Sequence, residues 1–304
     1  MILTIMIISL IVVLTLDFNV SMRTYLFSSV NLKDGIKLGC IARSGFNYAL
    51  AVLHEDALES DFDSLQEDWA YSKVISSNSD VMFEDGRFKI QIKDHSGRIQ
   101  INKLDNRKDL ITRFLSSEQF DLDPEEVSML LDALKDWIDS DSEITGFGAE
   151  SDYYQKMERP YSCKNAPLEF LEELLRVKGV TRKLFFGTKE NPGISNYLTT
   201  HGDGKININT ADPLVLRALS DQINREMVEK MLAYREGKKD LKDPKWYQKV
   251  PGMSHVTIDP ELVITTSTHF EIISEGFKES MIKLITGIVE RSKGALRILS
   301  WKIE

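Results

Sequence analysis

The first 16 residues, MILTIMIISLIVVLTL, carry no charge and are mostly Ile, Leu, Val and Met. That run is slightly short of the roughly 20 apolar residues a helix needs to cross a bilayer. Phe18 and Val20 extend it past Asp17, whose carboxylate can sit at the interface. No basic segment precedes the run and no A-x-A-like site follows it, so a cleaved secretory signal does not fit. A buried core element is out of place at an extreme N-terminus. The run reads as a membrane anchor, with residues 1–20 as the part inside the bilayer. The helical pattern then continues. No proline occurs from Asn19 to Leu53, and Leu38, Ile41, Gly45, Ala49 and Leu53 recur at helical spacing. Arg23, Lys33, Asp34 and Lys37 take the other face. The expectation is one long helix, apolar all round at first and amphipathic later.

At 304 residues the chain has room for about two domains. A net charge of −9 argues against a broad nucleic-acid surface, which needs clustered Lys and Arg. The two cysteines, Cys40 and Cys163, make neither a disulfide framework nor a zinc pattern, and whether they pair is open. His54, His95, His201, His255 and His269 are scattered along the chain without metal-ligand spacing.

After the helix the period changes. Phe88, Ile90 and Ile92 alternate with Lys89, Gln91 and Lys93. Asp94-His95-Ser96-Gly97 then turns, and Ile99 and Ile101 alternate with Gln100 and Asn102, which reads as a β-hairpin. Phe270 to Phe277, Met281 to Arg291 and Ala295 to Ile303 are further strand-like runs, separated by Lys278-Glu279-Ser280 and Ser292-Lys293-Gly294. The middle is helical by its start and stop signals. Asn106 caps Arg107 to Leu115, and Asp123-Pro124-Glu125-Glu126 opens the helix to Trp137. Asn165-Ala166-Pro167 precedes Leu168 to Val177, Asp212-Pro213 precedes Leu214 to Leu219, and Asn224 starts Glu226 to Arg235. The expected class is α+β: a pilin-like fold, with the long N-terminal helix and an antiparallel sheet contributed by residues 21–105 and 266–304. A large α-helical domain, residues 106–265, is inserted into it.

Asp136 to Tyr154, DWIDSDSEITGFGAESDYY, packs Asp136, Asp139, Asp141, Glu143, Glu150 and Asp152 around Gly146 and Gly148. Carboxylates so close raise one another's pKa unless something neutralises them. An acidic run between helices is commonly a solvated loop. A hard divalent cation with roughly six to eight oxygen ligands is the other answer to the repulsion. Trp137, Phe147, Tyr153 and Tyr154 favour a folded loop. The spacing is not that of an EF-hand, since Glu143 follows Asp141-Ser142 with no glycine in place.

The most specific string is Gly204-Lys205-Ile206-Asn207-Ile208-Asn209-Thr210-Ala211, followed by Asp212-Pro213-Leu214. Its asparagines are placed to hydrogen-bond backbone at the mouth of the next helix. With the greasy helix, Ile41-Ala42-Arg43-Ser44-Gly45, Asp136-Trp137-Ile138-Asp139-Ser140-Asp141, Gly148-Ala149-Glu150 and Tyr153-Tyr154, it resembles the K minor pseudopilins of type II secretion systems (general secretion pathway protein K). Glu172-Glu173-Leu174-Leu175 and Val177-Lys178-Gly179-Val180 extend the likeness. The resemblance implies a pilin-like fold with a helical insertion, and a place at the pseudopilus tip with the I and J minor pseudopilins. The H subunit and the major pseudopilin are further candidate contacts. It implies an inner-membrane, single-pass protein with its body in the periplasm, initiating or capping the pseudopilus for secretion across the outer membrane. It also implies structural calcium in the insertion, for which Asp139, Asp141, Glu143, Glu150 and Asp152 are the candidate ligands. Family precursors carry a basic leader ending in glycine, which does not precede Met1 here. If Met1 is the mature first residue, Ile5 stands where major pilins have glutamate, which suits a tip subunit.

The rival reading is a membrane-anchored helix-hairpin-helix DNA-binding protein. The helices after Asn209-Thr210-Ala211 and Tyr234-Arg235-Glu236-Gly237 suggest it. However, Ser220-Asp221-Gln222-Ile223-Asn224 lacks the hairpin glycine and carries an acid, and only Pro251-Gly252-Met253 looks like such a turn. No nucleic-acid partner is expected. G-x-S-x-G and H-E-x-x-H are absent, so the expectation is a protein that is not an enzyme.

Overall fold

The computed structural model describes residues 1–71, 76–77, 79–237, 241–292 and 295–304. Helix α1 runs unbroken from Ile2–Glu59, as the proline-free pattern requires. Residues 1–33 stand clear of the rest of the protein, all exposed but for a half-buried Ser21. At 1.5 Å per residue that is a rod of about 50 Å. The last third behaves differently. Leu38, Ile41, Ala42, Gly45, Phe46, Ala49 and Leu53 are buried, one face at helical spacing.

What they bury against is a four-stranded antiparallel sheet in the order β1 (Arg87–Asp94), β6 (His269–Lys278), β7 (Met281–Ser292), β8 (Ala295–Ile303). Phe88, Ile90 and Ile92 of β1 and Phe270 and Ile272 of β6 point at α1, while the alternating residues face outward. Burying each such side chain is worth roughly 1.5–3 kcal/mol. Contact is close because small residues meet: a Cβ on Gly276 would lie 2.3 Å from the Leu38 carbonyl oxygen. Ser274 Oγ donates to the Ala42 carbonyl at 2.8 Å. Lys278 reaches Asp34 at 3.2 Å and Asp85 at 2.8 Å, pinning the helix where its bare part begins.

Between β1 and β6 the chain leaves to build a second core, drawn from Ile99 to Val263. Its main helices are Leu104–Leu115, Pro124–Ile138, Pro213–Ala218 and Arg225–Glu236. Two short parallel pairs tie it together: β2 (Ile99–Gln100) with β3 (Leu198–Thr199), and β4 (Ile206–Asn207) with β5 (Val263–Ile264). The fold is thus the expected α+β arrangement, a long N-terminal helix on an antiparallel sheet with a large helical body between its strands.

Three expectations are corrected. Ile99 to Asn102 is not the return strand of a hairpin: β1 pairs with β6, and Ile99 and Ile101 are buried in the second core. The turn is real, with Arg98 N donating to the His95 carbonyl at 3.1 Å, but it delivers the chain into another domain. The helix at 107 begins at Leu104 and kinks at Arg107 (φ −134°), whose guanidinium donates to the carbonyls of Gly204 and Glu261. Leu168 to Val177 is only a tight 3-10 helix, Leu171–Arg176, because the Glu173 carboxylate accepts from the N–H groups of Glu169 and Phe170. Lys293 and Gly294 lie outside the described residues.

Candidate metal centre

The helix Pro124–Ile138 starts at a capping box, in which Asp123 accepts from Glu126 N and Glu126 from Asp123 N. That start fixes which residues share a face fifteen positions later. Asp132 and Asp136 stand one turn apart, and Asp139 ends the helix with extended dihedrals. The following loop folds back over them. Phe147 N donates to Asp132 Oδ2 at 3.1 Å and Thr145 N to Asp136 Oδ1 at 3.0 Å. Gly148 is obligatory there, since a Cβ would sit 2.0 Å from Asp136 Oδ2. Trp137 and Tyr154 wedge edge to face beneath the loop at 5.1 Å, and Tyr161 stacks on Tyr154.

Four side-chain oxygens in this region have no donor. Asp136 Oδ2, Asp139 Oδ1, Glu150 Oε1 and Asn165 Oδ1 are all buried and unpartnered. Asp136 is fully buried and Glu150 is 4% exposed. Glu150 Oε2 caps the short helix Ser151–Tyr154, and Asn165 Nδ2 donates to the Asp141 carbonyl. Burial, then Asp141, Asp136 and Glu150, hold the Asp139 carboxyl above the usual carboxylate range. Burial pushes the Cys163 thiol up to about 11, with Glu150 adding to the effect. Of the nearby cations, Lys135 acts on Asp139 through its charge, and Lys178 binds the carbonyls of Phe147 and Gly148. Leaving so many acceptors buried and unpaired costs about 1–3 kcal/mol each, more when charged. A set of carboxylate and amide oxygens suits a hard cation. The donor types suit calcium, although among the described residues only Asp56, Asp63 and Glu67 bring three acid ligand atoms within 4.8 Å of one another.

Of the sequence candidates, Asp139 and Glu150 lie near enough for their charges to interact, and Asp141 Oδ1 accepts from Glu143 N at 2.8 Å. Glu143 and Asp152 are exposed and contribute no buried oxygen. Sequence reasoning left two contributors out of the candidate set. Asp136 was detectable, because it precedes Asp139 by three on a helix. Asn165 carried no local signal. It reaches the site from beyond Cys163 in a left-handed conformation (φ 47°).

A second acid cluster lies under the sheet. Ligand atoms of Asp56, Asp63 and Glu67 fall within 4.8 Å of one another. Here the chain supplies the cation: Arg291 bonds Asp56 at 2.8 Å, Asp63, and the Ser267 carbonyl at 3.1 Å. The asparagines of the GKININTA string close the same seam. Asn207 Nδ2 donates to the Asp63 carbonyl and Ser267 Oγ, and Asn209 joins the Leu241 carbonyl to Trp246 Nε1. Neither caps the next helix, which Asp212 does at 3.0 Å.

Residues 97–186 and 206–264 both match profiles described as "Type II secretion system (T2SS), protein K". Over these two stretches the chain is similar to the type II secretion system protein K family. Protein K of Aeromonas hydrophila is 27% identical over 153 residues, 46% of this chain and 44% of that protein. Protein K of Klebsiella pneumoniae is 26% identical over 207 residues, 64% of this chain and 59% of that one. The match thus spans about half the length of these curated relatives. A solved structure, the GspK-GspI-GspJ complex from enterotoxigenic Escherichia coli, superposes with TM-score 0.71 at 16% identity, covering 91% of this chain and 99% of the matched one. That match shows that the protein K fold is shared.

Proposed function

We propose that this chain is a minor pseudopilin that sits at the tip of a type II secretion pseudopilus. The observation that carries the reading is the division of α1 into a bare apolar rod and a docked segment under a sheet that carries a bulky insertion. A rod of that length and composition suits a single membrane anchor, in the inner membrane with the body in the periplasm. It also suits lateral packing with the equivalent helices of partner subunits. The insertion between β1 and β6 hinders addition of a subunit above it. The partners of this reading are the I and J subunits, the two that accompany protein K in the matched Escherichia coli complex. The role is structural, with no reaction assigned to the chain. Co-expression of the full chain with I and J, followed by purification in detergent, tests it. A stable three-subunit assembly is expected, and a monodisperse chain that ignores both partners counts against it. The DNA-binding rival gains nothing from the turn between the helices Pro213–Ala218 and Arg225–Glu236, where exposed Asp221 repels phosphate.

For the acidic loop the proposal is structural calcium held by Asp136, Asp139 and Glu150 with the Asn165 amide oxygen, and Asp141 adjacent. Glu143 and Asp152 remain candidates at the rim. A bound calcium supplies the positive charge that this part of the chain lacks.

A further inference from the structure

The scattered histidines do not stay scattered. His95 follows the end of β1 and His269 begins β6, and His95 N donates to the His269 carbonyl at 2.9 Å. They therefore continue the ladder as a directly opposed cross-strand pair, whose side chains leave on the same face. The inserted domain lays His201 across them, from the loop after β3. The His201 ring centroid is 6.0 Å from that of His95 and 5.9 Å from that of His269. Two imidazoles sharing one metal, with metal–nitrogen bonds of roughly 2.0–2.1 Å, have centroids roughly 5–6 Å apart. Both spacings fall at the upper end of that range, and the ligand atoms must still close in, since among the described residues only Asp56, Asp63 and Glu67 already hold three within 4.8 Å of one another.

The hydrogen bonds select which nitrogens are free. His95 Nδ1 meets Thr199 Oγ1 at 3.1 Å, and His269 Nδ1 meets Thr268 Oγ1 at 2.9 Å. With each Nδ1 held by a hydroxyl, each Nε2 is left as the outward nitrogen, the arrangement in which a second-shell partner orients a metal-ligating histidine. His95 is 7% exposed, and its Nε2 is buried without a hydrogen-bond partner. The nearest carboxylate, Glu271 Oε2, is 3.9 Å from it. Glu271 lies two residues after His269 on the same strand, hence on the same face. It also pairs with Lys93 at 3.5 Å.

We propose that His95, His201 and His269, with Glu271 beside them, form a binding site for a late first-row divalent metal such as zinc. Imidazole nitrogens select this class over calcium or magnesium. Binding draws His201, whose ring has no hydrogen bond among the described residues, toward the cross-strand pair. Because His201 belongs to the inserted domain and the others to the sheet, the metal clamps one to the other at the edge of their seam. The site is separate from the acidic loop.

The test uses the full-length chain without an affinity tag, in detergent micelles at pH 7.5, in excess calcium. Zinc is titrated calorimetrically, and cobalt(II) is added separately as a visible-absorption probe of imidazole ligation. One zinc per chain is expected, with a raised melting temperature. His201→Ala and His269→Ala should each weaken it at least tenfold, while His255→Ala leaves it unchanged. His201→Ala removes a half-buried ring that makes no hydrogen bond, and its metal-free melting curve checks that it folds. Absence of stoichiometric zinc, or zinc binding that survives in both variants, overturns the proposal.

Discussion

Two clusters of acid in this protein have the same composition and opposite solutions. Under the sheet, Asp56 and Asp63, with Glu67 beside them, pair with Arg291, a cation delivered from more than 200 residues away in sequence by β7. In the insertion, Asp136, Asp139, Glu150 and Asn165 each keep a buried oxygen without a donor, Lys135 acts on Asp139 through its charge alone, and Lys178 is engaged by backbone carbonyls. Local acid density is therefore a poor guide to metal binding. What distinguishes the two is whether the fold brings a side-chain cation to the carboxylates.

The largest effect expected from this contrast is on the arginine side. Arg291→Met leaves the carboxylates of Asp56 and Asp63 without their counterion, and loss of one partner of a buried pair costs about 3–5 kcal/mol. Urea unfolding of the full chain in detergent measures it. A loss under about 1 kcal/mol would show that the acids discharge by taking up protons, and the contrast would weaken.

Next comes removal of calcium. A ligand held at a hundred times its Kd stabilises by about 2.7 kcal/mol, so a chelator should lower the melting temperature by several degrees. Calcium should restore it and magnesium should do so much less, given magnesium's stricter geometry. Asp139→Asn and Glu150→Gln should be insensitive to the chelator, and Arg291→Met should keep its response. An unchanged melting temperature in chelator sinks the calcium reading.

A smaller change is expected from Gly148→Ala. Its Cβ would lie 2.0 Å from Asp136 Oδ2 and 2.9 Å from the Asp132 carbonyl oxygen, so loop and carboxylate must part. A cost of about 1–3 kcal/mol and weaker calcium binding follow. Wild-type calcium affinity in this variant would mean that Asp136 Oδ2 is not a ligand.

The smallest effect is on pH dependence, and its sign differs between the clusters. Burial, then Glu67, pushes the Asp56 carboxyl up to about 7, and burial raises Glu67 as well. Both groups hold a proton more tightly folded than unfolded, so their contribution to stability is lost as pH rises from about 4 through 7. In chelator, the melting temperature should be lower at pH 8 than at pH 6, with a flatter profile for Glu67→Gln. Calcium-dependent stabilisation runs the other way, fading in acid as its ligands protonate.

The elements were largely legible in the sequence. The apolar-rich runs Phe270 to Phe277 and Met281 to Arg291 placed β6 and β7 within a residue or two. Pro124 and its capping acids placed the helix that carries Asp136. Pairing was not legible. Ile99 and Ile101 alternate well enough for a hairpin, but alternation says nothing about which core takes the buried face.

The candidate site divides along the same line. Asp139 and Glu150 could be picked out because they are close in sequence, whereas Asn165 joins them only through a chain reversal that no local pattern encodes. His95, His201 and His269 carry no spacing at all, and a strand ladder with one loop laid across it sets them side by side. Periodicity and composition, local properties of the chain, determined the bare rod, its docked face and the separate helical body. Which charges end up neighbours depends on contacts such as that of Arg291 with Asp56, 235 residues apart, and only the packed tertiary structure decided whether a carboxylate met Arg291 or another carboxylate.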